Sequence, residues 1–150
     1  SVIMKILICG LPGSGKSTLA EPFANLIGGV WINADVVRKQ YDDWDFSVKG
    51  RLRQTMRMCH LADGVVMAGK IAVADFVCPT QLARDWFNAD YTVWMDTIEK
   101  SQYEDTNIMF VKPDNYDYHV SSWFKDTHTE LVKVVNNYML AQAGKPTERL

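Results

Sequence analysis

The sequence is poor in several features that would set it apart from ordinary globular chains. Its 150 residues hold three cysteines, Cys9, Cys59 and Cys78, an odd number with no C-x-x-C pair. That count argues against a disulfide framework and against a zinc ribbon, and reduced thiols in a cytoplasmic protein are expected. Cys9 falls in an apolar run and Cys59 in a helical stretch, so both read as small core residues rather than nucleophiles. Charge of either sign is not in excess: the net charge is −2, which disfavours a broad nucleic-acid or membrane surface. Long hydrophobic runs are missing too, since the stretch from Val65 to Val77 is broken by Lys70 and Asp75. The first residues lack the charged region and cleavage site of a signal peptide. With no internal repeat, low-complexity tract or dividing linker, residues 1–150 read as a single domain with a real core.

What is present is concentrated at Gly10-Leu11-Pro12-Gly13-Ser14-Gly15-Lys16-Ser17-Thr18. This fits G-x-x-x-x-G-K-[ST]. Met4 to Cys9 before it reads as a buried parallel strand, and Ser17 to Ile27 after it reads as a helix with Leu19, Phe23 and Leu26 on one stripe. Strand, glycine loop and helix start give the motif its physical meaning. The glycines let successive N–H groups point into one hollow, and the helix adds its positive dipole end. Lys16 is placed to reach the outer phosphates of ATP, and the Ser17 hydroxyl to hold Mg²⁺. Gly10, Gly13, Ser14, Gly15, Lys16, Ser17 and Thr18 are therefore the expected nucleotide-binding residues.

The rest of the chain alternates. Val30 to Asn33 reads as a strand, Asp35 to Gln40 as a short helix, and Tyr41 to Phe46 as an acidic, aromatic loop. Val48 to Ala68 is the longest helix, with Leu52, Met56, Cys59, Ala62 and Val66 as its expected buried stripe. Ile71 to Ala74 forms a strand ending at Asp75. Thr80 caps a helix from Gln81 to Phe87. Tyr91 to Met95 is a strand ending at Asp96, Asp117 to Val120 a last strand, and Asp126 the cap of a helix through Leu131, Val134, Val135 and Met139. The tail from Gly144 onward is expected to fray. Strands alternating with helices predict an α/β protein, a doubly wound parallel sheet of the P-loop nucleoside triphosphate hydrolase and kinase type. Its carboxyl edge should carry the glycine loop, Asn33 to Asp35, Asp75 and Asp96.

Asn33-Ala34-Asp35-Val36-Val37-Arg38 leaves the second strand facing the glycine loop. A carboxylate there can take a proton from an attacking hydroxyl or help hold Mg²⁺, and Arg38 can clamp an anion. The competing reading makes Asp35 a helix cap and Arg38 its solvated neighbour. Asp75, after four small apolar residues, reads either as an outer-shell Mg²⁺ partner or as a loop cap.

These residues resemble adenylylsulfate kinases, P-loop enzymes that phosphorylate the 3′-hydroxyl of adenosine 5′-phosphosulfate. Asn33 to Arg38 is similar to the family's D-G-D-N-V-R, and Asp45-Phe46-Ser47 through Arg51 to its G-F-S-x-x-x-R. Phe76-Val77-Cys78-Pro79 is similar to F-[IV]-S-P. The resemblance covers about two-thirds of the chain. It implies catalytic roles for Lys16 and Asp35, and acceptor binding by Arg38, Phe46, Arg51, Gln54 and Phe76. It also implies ATP and Mg²⁺ as cofactors, a small nucleotide as substrate, and leaves a homodimer open. The chain departs from the family at Asn33, Gln54 and Gln81. The basic lid is not visible: Ser101-Gln102-Tyr103-Glu104-Asp105-Thr106-Asn107 stands in its region. A second, weaker resemblance is to polynucleotide 5′-kinases, whose later strand-end aspartate looks like Asp75. Three functions follow: an adenylylsulfate kinase, a polynucleotide or nucleotide 5′-kinase, and an ATP-binding protein that lost transfer with its lid.

Overall fold

The computed structural model describes residues 3–144. In chain order the elements are β1 (Lys5–Gly10), α1 (Lys16–Ile27), β2 (Val30–Asn33), α2 (Ala34–Tyr41), α3 (Val48–Met67), β3 (Ala72–Asp75), α4 (Gln81–Phe87), β4 (Tyr91–Met95), α5 (Glu104–Met109), β5 (Tyr118–Val120) and α6 (Thr127–Ala143). The strands form one sheet in the order β2-β3-β1-β4-β5, and every pairing is parallel. Parallel neighbours need long crossovers, and the helices supply them. They cover both faces, so Ile6 to Cys9 of β1, Ala72 to Ala74 of β3 and Val93 to Met95 of β4 read as apolar runs.

Two cores result. On one face Leu19 and Phe23 of α1 and Leu131 and Val135 of α6 pack on Ile6, Ile8, Val73 and Val93. On the other, Met58, Ala62 and Val66 of α3 and Ala83 and Phe87 of α4 pack on Leu7, Cys9, Ala72 and Ala74. The three thiols are all buried and reduced. Desolvation raises Cys9 to about 11 and pushes Cys78 well above the ordinary thiol range, which fits core residues rather than nucleophiles.

Most element limits agree with the expectations, and α4 and β4 agree residue for residue. Four details differ. The buried seam of α3 runs through Thr55, Met58, Cys59, Ala62 and Val66, while Met56 is exposed. These five positions keep a continuous helical stripe, which Leu52 and Met56 leave by about a quarter turn. Leu26 of α1 is also exposed, because Ala20 and Ala24 complete the inward face instead. Asp126 flanks α6 but its carboxylate makes no capping bond; Thr129 Oγ1 donates to its carbonyl at 2.7 Å. The sequence pattern assigns no element between β4 and the last strand, where the structure has helix α5 (Glu104–Met109). The tail from Lys145 onward lies outside the described residues.

Candidate active site

Register sets the chemistry at the carboxyl edge of the sheet. Asn33 at the end of β2 pairs with Asp75 at the end of β3, which in turn pairs with Ile8 two residues before the loop. Asp75 thus lies beside the start of α1. Its carboxylate accepts from Trp31 Nε1 at 2.6 Å, Asn33 Nδ2 at 3.1 Å and Ser17 Oγ at 3.3 Å. Asn33 Nδ2 also donates to Ser17 Oγ at 3.0 Å, and Asn33 Oδ1 accepts from the Val36 N–H, capping α2. Burial raises the Asp75 carboxyl above the usual carboxylate range, against the pull of Trp31, Asn33, Lys16 and Ser17.

The glycine loop curls over the end of β1. Gly10 has no room for a side chain, since a Cβ there would lie 2.5 Å from the Met95 carbonyl oxygen. Gly15 takes φ +96° just before the helix starts, a left-handed conformation that glycine adopts without strain. Thr97 Oγ1 donates to the Ser14 carbonyl at 2.8 Å, tying the loop to the segment after β4. Lys16 Nζ is buried and donates to the Leu11 carbonyl at 3.0 Å. Desolvation lowers its pKa, opposed by the charges of Asp75, Cys9 and Asp35. Ser14 Oγ is buried and makes no hydrogen bond within the described residues.

This donor set fits a polyphosphate. Curled loop amides, a buried ammonium and an orphaned buried hydroxyl converge where a helix begins. The hydroxyl of Ser17 beside a buried carboxylate suits a hard cation such as Mg²⁺, which keeps several waters and takes few protein ligands. No cluster of three or more His, Cys, Asp or Glu fit to hold a metal occurs among the described residues.

Around this edge opens a cavity of about 820 Å³. Gly13, Gly15, Lys16, Ser17, Thr18, Asp35 and Asp75 form its phosphate side, while Phe46, Arg51 and Phe76 line the same space. Asp35, in the first turn of α2, is exposed to it. Residues 6–89 match a family model described as an AAA domain.

The chain belongs to the AAA-domain family. No curated protein matches it. Among solved structures, the APS kinase CysC of Mycobacterium tuberculosis, in complex with AMPPNP and APS, superposes with a TM-score of 0.72 at 16% identity, over 89% of this chain and 97% of that one. A gluconokinase from Sinorhizobium meliloti 1021 does so with a TM-score of 0.63 at 15% identity, over 94% of each chain. Shikimate kinase from Acinetobacter baumannii, in complex with shikimate, gives 0.57 at 16% identity, over 96% of this chain and 97% of that one. At such identities the likeness is one of fold, and the fold is that of P-loop kinases.

Within this AAA-domain chain two expected acceptor residues stand back from the cavity. Arg38 is 4% exposed, and its Nη1 donates to the carbonyls of Asp43 at 2.9 Å and Asp45 at 3.2 Å. It holds the loop between α2 and α3 and backs Phe46 instead of lining the cavity. Burial lowers its pKa, which the charge of Asp43 opposes. Gln54 is buried too, and its Nε2 donates to the Ala34 carbonyl at 3.0 Å, pinning the start of α2 to α3. Asp96 Oδ2 accepts from His119 Nε2 at 2.9 Å, and Asp96 is not part of the cavity wall. Arg51 does line it: Nε donates to the Phe46 carbonyl at 3.0 Å and Nη2 to Thr106 Oγ1 at 2.6 Å.

The cavity also has walls that sequence reasoning missed. Trp44, Tyr103, Asp105 and Thr106 all face it. The last three come from α5 and its N-terminal flank, which the sequence places where a basic lid was sought; the first turn of this helix is acidic instead. Trp31 reads from the sequence only as a strand residue; its indole N–H meets Asp75 because β2 and β3 pair in register, a contact 44 residues apart that no local pattern encodes. No helix of the described residues is long and apolar enough to cross a membrane.

Proposed function

We propose that this chain transfers the γ-phosphoryl group of ATP to a hydroxyl of a small adenine nucleotide, with adenosine 5′-phosphosulfate as the first acceptor to test. One observation carries the reading: the phosphate loop and the aromatic and cationic pair Phe46 and Arg51 line one continuous cavity. Donor and acceptor ends therefore share a space, as an in-line displacement requires. In this reading the loop amides and Lys16 hold the outer phosphates of ATP and neutralise the charge on the transferring group. Ser17 and Asp75, which touch one another at 3.3 Å, are the residues that would hold the cation. Bound there, Mg²⁺ would supply positive charge that offsets the charge of the phosphates. Asp35, exposed to the cavity, orients the acceptor hydroxyl and takes its proton. Phe46, half-exposed, stacks on the base. Arg51 faces the acceptor's anionic part, while Arg38 and Gln54 hold the loop and helix that carry Phe46 and Asp35. The reduced, buried thiols suit a cytoplasmic setting.

The test is product formation from labelled ATP with adenosine 5′-phosphosulfate, run beside an oligonucleotide with a free 5′-hydroxyl. Label on the sulfonucleotide is the expected result. Label on the oligonucleotide alone would replace the reading with a polynucleotide kinase, the alternative that Asp75 favours. Tight ATP binding with no acceptor labelled would leave a nucleotide-binding protein.

A further inference from the structure

The acceptor end of the cavity carries a carboxylate that the reading above does not use. Asp105, in the first turn of α5, lines the cavity next to Thr106, which accepts from Arg51 Nη2 at 2.6 Å. Arg51 Nε is engaged as well, by the Phe46 carbonyl at 3.0 Å. Two donor directions of the guanidinium therefore end inside the protein. The charged groups lining the cavity are Lys16, Arg51, Asp35, Asp75 and Asp105. Lys16, Asp35 and Asp75 belong to the phosphate side, which leaves Arg51 as the one cation and Asp105 as the one carboxylate at the acceptor end. Arg51 also feels Asp105 directly: burial lowers its pKa and the charge of Asp105 raises it again.

We propose that Asp105 is a specificity-determining residue that sets the charge of the acceptor: the site takes a nucleotide whose anionic end is a monoanion and rejects one ending in a phosphate dianion. The proposal rests on the adenine-nucleotide reading above. A sulfate ester carries one negative charge across the physiological range, whereas a phosphate monoester carries about −1.5 to −2 at pH 7. The two are close in size and both are tetrahedral, so shape separates them poorly. A carboxylate beside a single, already engaged guanidinium separates them by charge. One additional unit charge near a carboxylate in a half-solvated site changes affinity by about tenfold.

The experiment is calorimetric titration of adenosine 5′-sulfate and of AMP into the protein with its donor site filled by Mg-AMPPNP. At pH 8 the sulfate should bind about tenfold tighter than AMP. At pH 5.5, where the phosphate has largely taken up its second proton, the ratio should shrink toward one. Asp105→Asn should tighten AMP about tenfold at pH 8 and leave the sulfate nearly unchanged; Asp105 is exposed, so the substitution leaves packing alone. Thr106→Val, which removes a contact of Arg51 but no charge, should keep the wild-type ratio. Equal affinity of the wild type for the two esters at pH 8, or an unchanged ratio in Asp105→Asn, overturns this proposal alone. Binding of neither ester overturns it together with the adenine-nucleotide reading.

Discussion

The guanidinium of Arg38 lies 4.2 Å from the centroid of the Phe46 ring, and the same group donates to two carbonyls of the loop that carries that ring. Arg51 approaches the ring as well, at 5.4 Å. Phe46 therefore stands on a cationic backing while 44% of it remains exposed. A ring fixed in this way presents a stacking surface without first losing rotamer freedom.

Arg38→Lys should therefore act through Phe46. Lysine keeps the charge but cannot reproduce the planar fork over the ring or both carbonyl bonds. The expected outcome is a rise of about tenfold in the acceptor KM with the ATP KM unchanged, matching Phe46→Ala, since one base stacked on an aromatic ring is worth roughly 1–3 kcal/mol. Arg38→Ala should in addition cost about 2–4 kcal/mol of stability from lost charged hydrogen bonds and cation–π contact. Steady-state kinetics with each substrate varied in turn, and urea denaturation, check both. A change in the ATP KM alone would mean that Arg38 works elsewhere.

Lys16→Ala should retain the fold and lose transfer by about 10²–10³-fold or more, the scale of removing one preorganised donor from a developing charge. The stabilisation that Mg-ATP gives the wild type in a thermal melt should shrink or vanish with it. An undiminished shift on adding Mg-ATP would contradict the phosphate-loop assignment.

Asp35 and Asp75 should separate by readout. Asp35→Asn should leave ATP binding near normal and cut transfer about 10²-fold or more, as expected for loss of a proton acceptor. Asp75 has a stability signature as well. Its carboxyl is held above the usual range mainly by burial, so the folded state keeps that proton to a higher pH than the unfolded chain does. The contribution favours folding below the unfolded carboxylate value, near 4, and is lost as pH rises through the folded value. Asp75→Asn, which cannot ionise, should gain stability relative to wild type as pH is raised from about 4 into the neutral range. Denaturation of both proteins at several pH values decides it; a relative loss with rising pH would reverse the assignment.

Gly50 is a packing constraint on the same loop. A Cβ there would lie 2.1 Å from the Asp45 carbonyl oxygen and 2.6 Å from Asp45 Cγ. Gly50→Ala should cost about 1–3 kcal/mol despite the better helix propensity of alanine. Because Asp45 adjoins Phe46, acceptor binding should weaken more than ATP binding. A variant more stable than wild type would show that the loop yields freely.

The parts of this architecture that repeat a local pattern were legible in the sequence. Ile6 to Cys9 and Val73 to Ala74 are apolar because both sheet faces are covered, and Thr80 marks the start of α4 because its hydroxyl accepts from the Ala83 N–H at 3.1 Å. The glycine loop was legible because its backbone geometry forbids most other residues. Arg38 was misplaced for a definite reason. Its spacing from Asp35 suggested a shared face toward the cavity, but Val37 and Arg38 are the buried pair of α2, and loop carbonyls five and seven residues away claim the guanidinium. Helix α5 escaped because Glu104 to Met109 has no apolar period, and Thr106 is its only buried residue. What places its acidic turn at the cavity is the long-range bond from Arg51, 55 residues away, and no local pattern encodes that.

The bond from Trp31 Nε1 to the Asp75 carboxylate has a practical consequence. An indole whose N–H is fixed on a charged oxygen emits according to the field at that oxygen. Any cation that settles beside Asp75 and Ser17 changes that field directly. With the other four tryptophans replaced by phenylalanine, the molecule becomes its own optical gauge of divalent-ion arrival, readable in a fluorimeter before any phosphate has moved.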